Sequence, residues 1–134
     1  MPPFYELSVA SFAQPSSLKT KWTIAVVFSQ SSPHSLIYQI VGSSSDYGLD
    51  APQSVTLKEG ENGYVGKTPV GSVDSERLHQ LHSTLTSIPV VCGNPAWNSH
   101  NWVMDGILAL RKLEGYHIDK DVTSQWVAAR LGEK

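Results

Sequence analysis

The 134-residue chain has a single cysteine, Cys92, which excludes an internal disulfide framework and a zinc site built on cysteine pairs, and suits a reducing compartment. It has no apolar run near the roughly 20 residues a membrane helix needs. Its start, Met1-Pro2-Pro3-Phe4-Tyr5-Glu6, has neither the basic residues nor the continuous apolar stretch of a secretory signal. A cytoplasmic protein with no membrane span is therefore expected. Charge is sparse, with 10 Lys and Arg against 12 Asp and Glu and 16% charged residues overall. Without a basic stripe and interleaved aromatics, nucleic acid is not an expected partner.

Hydrophobic residues make up 40% of the chain, enough for one ordinary core, so residues 1–134 are read as a single domain. The first half is rich in β-branched and aromatic residues between Ser, Pro and Gly clusters, which predicts strands over residues 5–10, 22–28 and 36–41. Ser29-Gln30-Ser31-Ser32-Pro33-His34 has the composition of a hairpin turn. Weaker strands are predicted at 55–58 and 64–70, on either side of Glu59-Gly60-Glu61-Asn62-Gly63.

The hydrophobic period then changes. A short helix is predicted from Ser75, with Asp74 or Ser75 as its cap, Leu78, Leu81 and Leu85 on one face, and Pro89 marking its end. The strongest helical pattern runs over 98–113, where Val103, Ile107 and Leu110 share a face that Trp102 widens and Gly115 supplies a stop. A last helix is predicted at 123–131, burying Trp126, Val127 and Leu131. The expected class is α+β: an antiparallel sheet of about five strands packed against two or three C-terminal helices.

Three segments carry a family resemblance. Lys21-Trp22-Thr23-Ile24-Ala25-Val26-Val27-Phe28 resembles the His-Trp-Ala-hydrophobic strand of permuted papain-like proteins, a group that includes lecithin:retinol acyltransferase-like enzymes and relatives of NlpC-type peptidases. Ile37-Tyr38-Gln39-Ile40-Val41-Gly42-Ser43 is similar to the following strand, which holds another polar triad position. Asn98-Ser99-His100-Asn101-Trp102-Val103 resembles the Asn-Cys-x-x-aromatic-Val start of the nucleophile helix. Small fungal proteins of similar size share this order. Over residues 4–113, the resemblance implies a permuted papain-like fold. It places Ser99 at the nucleophile position, Lys21 at the first His and Gln39 at the second polar partner.

All three departures fall on the chemistry. A thiolate mechanism needs sulfur, whereas a serine hydroxyl must lose its proton during attack, and Gln39 cannot accept one. A thiol peptidase or acyltransferase is therefore not expected. Lys21 could serve as base only if burial kept it neutral; the plainer reading is an exposed strand-end lysine. The plainer reading of Ser99 is that, with Asn98, it caps the helix. His100 could act as acid, base or donor, although consecutive helical residues do not aim at one point. His79 and His82 are three apart on a helix, but without a third ligand they read as a solvated face, so no metal is expected. Nothing in the sequence calls for a cofactor. Cys92, in an apolar stretch entering a loop, reads as a small buried hydrophobe. Asp105 reads as solvent-facing. Gly106, inside a helix, marks close approach by another backbone or a ligand.

The leading functional expectation is a repurposed papain-like scaffold that binds an apolar small molecule in the sheet–helix cleft. Trp22, Tyr38, Trp97 and Trp102 would be its walls, and Lys21, Gln39, Ser99 and His100 its polar groups. The chemistry such a cleft could promote is non-hydrolytic, a cyclisation or isomerisation in small-molecule biosynthesis. The sequence leaves open whether it is an enzyme at all. One alternative is a hydrolase or acyltransferase using Ser99 and Lys21; another is a catalytically silent module with a protein partner.

Overall fold

The computed structural model describes residues 3–14, 17–29, 34–42, 45–58, 61 and 63–132, with 17–19 through their backbone. Runs of β-branched and aromatic residues form β1 (Phe4–Gln14), β2 (Ser17–Val27), β3 (His34–Tyr38), β4 (Ile40–Val41), β5 (Gly48–Leu49), β6 (Gln53–Thr56) and β7 (Tyr64–Asp74). A 3-10 turn, Ser75–Arg77, leads into α1 (Leu78–Leu85), followed by α2 (Ser99–Arg111), β8 (Tyr116–Ile118) and α3 (Ser124–Arg130). The main sheet has six strands in the order β6-β3-β2-β1-β7-β8, every neighbouring pair antiparallel. The class is α+β, as expected, but the strand count of about five is corrected to six, with β4 and β5 forming a separate two-stranded sheet.

That difference has two physical sources. The segment expected to be one strand over 36–41 breaks at Gln39, whose carbonyl accepts a hydrogen bond from Asp50 N–H at 3.1 Å, and the chain beyond it leaves β2. The main-sheet strand missed entirely is β8, whose three residues are too few for a period-2 signal, as the two of β5 are; β8 pairs through Tyr116, His117 and Ile118 with Val73, Ser72 and Gly71. Of the expected turns, residues 30–33, 59, 60 and 62 lie outside the described residues, as do Met1 and Pro2 of the start and Ser43 of the second resembling segment.

Strand alternation sorts the side chains. Leu7 and Val9 of β1 and Trp22, Ile24 and Val26 of β2 enter the core beneath the helices. Ala10 and Phe12, with Ala25 and Ile37, build a smaller cluster on the opposite face. On the helical side, α1 contributes Leu81 and Leu85, and α2 contributes Trp102, Val103, Ile107 and Leu110. Of the side chains expected to anchor the last helix, Val127 is buried while Trp126 and Leu131 are partly so. Gly106 does lie at a close approach, here to side chains: a Cβ there would come within 2.9 Å of Ile24 Cδ1 and 3.0 Å of Leu85 Cδ2. It lets α2 settle between β2 and α1. Cys92 is exposed, not buried, and its thiol donates to Tyr47 O at 3.3 Å. No helix among the described residues is long and apolar enough to cross a membrane.

Candidate functional site

The N-terminus of α2 is held by a reciprocal cap. Asn98 Oδ1 accepts His100 N–H at 2.9 Å, and Asn101 Oδ1 accepts Asn98 N–H at 2.9 Å. Asn98 is thus the cap, and Ser99 is the first helical residue. This end of α2 docks on β2 where β3 has left it: the last β2–β3 pair is Ile24 with Tyr38, while β1 occupies the other edge through Phe12 and Ser11. Trp22 N–H, on the vacated edge, donates to Ser99 Oγ at 3.1 Å. His100 Nε2 donates to Thr20 O at 2.8 Å, which fixes the proton on that nitrogen because a carbonyl only accepts. The imidazole stacks on the Trp22 indole, centroids 3.8 Å apart and planes 14° from parallel. Ser99 and His100 together therefore take over the hydrogen bonds that a neighbouring strand would have made to β2.

Lys21 is on the same stretch of β2 but on the other face. It pairs with Phe12, and alternation places it with Thr23 and Ala25, opposite Trp22. Its charged partner there is Asp50, whose Oδ2 accepts Gln39 Nε2 at 3.1 Å and also Gln53 Nε2. Gln39 is buried and committed to this group. Desolvation by burial holds the Lys21 amine below the ordinary lysine value, with Asp50 opposing. No hydrogen bond joins Ser99 to Lys21 among the described residues; the hydroxyl of Ser99 is engaged by Trp22 N–H. Of the four polar residues expected at one point, the structure makes two pairs by shared partner: Ser99 and His100 both bond the β2 backbone, and Lys21 and Gln39 both interact with Asp50.

Both pairs border a cleft of about 190 Å³ at the end of the sheet, through Ser99 and Lys21. Its apolar walls are Ile40, Tyr47, Pro95 and Trp97, and its polar lining includes Thr20 and Asn98. Tyr47 and Trp97 meet edge to face, centroids 5.8 Å apart. Of the four aromatic side chains expected to wall a cleft, only Trp97 does. Trp22, Tyr38 and Trp102 are core, at 1%, 2% and 0% exposure. Trp102 Nε1 is buried without a hydrogen-bond partner. Tyr38 OH lies 3.2 Å from His82 Nδ1, which ties that histidine to the sheet. Sequence reading missed Tyr47, which follows a Ser-rich loop, and Asp50; no local pattern marks either one.

The lowered Lys21 pKa carries a sign. The folded state binds this proton less readily than the unfolded chain, so the burden is full at neutral pH and lifts as pH rises from the lowered folded value through the ordinary lysine range. Lys21→Met is therefore expected to stabilise the protein at neutral pH, with an advantage over the native chain that narrows towards strongly alkaline pH. Denaturant melts of both proteins at matched pH values check this, and an advantage that widened with pH would contradict it.

Comparison of the chain with family models, with curated proteins and with solved structures gives no match.

Proposed function

We propose that the protein binds a small ligand in the cleft at the N-terminus of α2, on a scaffold resembling the permuted papain-like fold, and that the chemistry it promotes is non-hydrolytic, a cyclisation or isomerisation of a bound carbonyl compound with no covalent bond to the protein. The observation that carries the reading is the lining of the cleft: an aromatic pair, Tyr47 and Trp97, faces a half-buried lysine and a serine in a concave space. At about 190 Å³ the space is below the roughly 300–1,000 Å³ of sites for drug-sized ligands, which favours a single-ring compound. The apolar body of the ligand lies on Trp97 and Tyr47. An acidic or carbonyl oxygen meets the Lys21 amine and the Ser99 hydroxyl, whose proton is not spent on Trp22 N–H.

The Ser99–Lys21 hydrolase reading has one observation in its favour, a half-buried lysine of lowered basicity bordering the same cleft. Against it stand the lack of a hydrogen bond between the two side chains among the described residues and the use of Ser99 Oγ as a backbone acceptor.

Calorimetric titration with single-ring carboxylic acids and their neutral amides tests the proposal. The acids are expected to bind more tightly than the amides, and Lys21→Gln to remove about tenfold of that preference. Absence of binding by every acid would contradict it. A fluorophosphonate adduct on Ser99 would move the hydrolase reading to first place.

A further inference from the structure

A second concave surface lies at the opposite edge of the sheet, an open groove of about 770 Å³ between β7, β8 and α3. Its size is in the range of sites that accept a drug-sized ligand. Arg111 and Arg130 both line it, with Trp126 beside them. Arg130 is held over the indole by two contacts: Nε donates to Thr68 Oγ1 at 3.1 Å, and Cζ lies 4.7 Å from the centre of the Trp126 ring. Its two terminal nitrogens have no partner among the described residues. Arg111 is anchored through Nη2 to Asp119 O at 2.9 Å and Val122 O at 3.3 Å, and its Nε is buried and unpartnered.

Neither guanidinium has a carboxylate partner among the described residues. The two acidic side chains on the groove are otherwise engaged. Glu6 Oε2 accepts from Lys67 Nζ at 2.6 Å and from Ser8 Oγ at 2.6 Å. Asp119 Oδ1 accepts Asp121 N–H at 2.9 Å. What remains is a preoriented planar fork on an aromatic ring, backed by a second cation, above an apolar floor of Val70, Tyr116 and Ile118.

We propose that this groove is a binding site for a carboxylate-bearing ligand, separate from the cleft at α2, with the carboxylate held two-pronged by the terminal nitrogens of Arg130. Bidentate geometry is what a guanidinium offers and an ammonium does not, and stacking on Trp126 lowers the entropic cost of presenting it. The carboxylate can come from a free polyacid or from an acidic side chain of an extended peptide.

Nitrogen-15 NMR titration of the full chain with citrate and, separately, with a capped hexaglutamate peptide distinguishes these sources. A saturable shift of the Trp126 indole N–H and the Arg130 Nε–H, with the Trp97 indole unmoved, is the expected result; the tighter probe identifies the source. Arg130→Gln is expected to weaken binding about tenfold or more, and Arg130→Lys to weaken it too, because the fork is lost while the charge stays. Arg130 is exposed, so both variants are expected to fold. No saturable shift with either probe, or equal affinity in Arg130→Gln, would overturn the proposal.

Discussion

Replacing Gly71 by alanine is expected to pull β8 away from the sheet. A Cβ at this position would lie 2.1 Å from His117 O and 2.9 Å from Ile118 Cα, and these are backbone atoms that cannot rotate aside. Either β8 retreats, giving up its pairs with Gly71, Ser72 and Val73, or β7 bends away from β1. Overpacking of this kind costs about 2–3 kcal/mol. Denaturant melts measure the loss. Amide exchange at Tyr116, His117 and Ile118 shows where it falls, and native-like stability with intact protection there would contradict the close approach. Because β8 floors the arginine groove, the same variant is expected to weaken carboxylate binding there while leaving the cleft at α2 in place.

Removing the imidazole of His100 is expected to cost about 1–3 kcal/mol: one half-buried hydrogen bond to Thr20 O and the stacked contact with Trp22 disappear together. Ser99→Ala is expected to cost about 1–2 kcal/mol, because the Trp22 N–H loses its acceptor on a residue only 1% exposed. The two losses are expected to be coupled in a double-mutant cycle, since both side chains bracket one short stretch of β2. Were the two residues catalytic ornaments on a self-sufficient fold, both substitutions would leave the melting curve unchanged. The bracket also explains how α2 is seated where β2 lacks a neighbouring strand.

Much of this architecture is legible in the sequence, because it rests on long periodic signals. The apolar alternation through Trp22, Ile24 and Val26 and the helical spacing of Val103, Ile107 and Leu110 mark the strand and helix faces that meet in the core. The helix cap is legible from residue type, read as Ser99 with Asn98, of which the structure makes Asn98 the cap. The orientation of Lys21 is legible too once Trp22 is assigned to the core, since neighbours on a strand face opposite ways. Alternation turns the Lys21 side chain away from that of Trp22, while Ser99 reaches the Trp22 N–H from α2, and both residues border one cleft.

Other features depend on tertiary placement. Gln39 and Asp50 meet through a strand break that no local pattern marks, and Arg130 reaches Thr68 across 62 positions of sequence. Trp22, Tyr38 and Trp102 are large aromatics whose composition fits a pocket wall as well as a core. Only packing separates the two, and here it leaves Trp97 alone of the four on the cleft. Cys92 lies exposed because the segment after Pro89 runs over the surface to reach Asn98, with its thiol tethered to Tyr47 O.

The measurement that bears most directly on the cleft is the Trp97 indole N–H resonance during titration with a single-ring carboxylic acid, recorded with Trp126 in the same spectrum as the reporter of the other groove. A saturable shift of Trp97 that weakens about tenfold in Lys21→Gln, with no covalent mass added to the protein, is the result predicted here. A Trp97 resonance that stays fixed at millimolar acid would contradict the proposal that this cleft holds a small ligand.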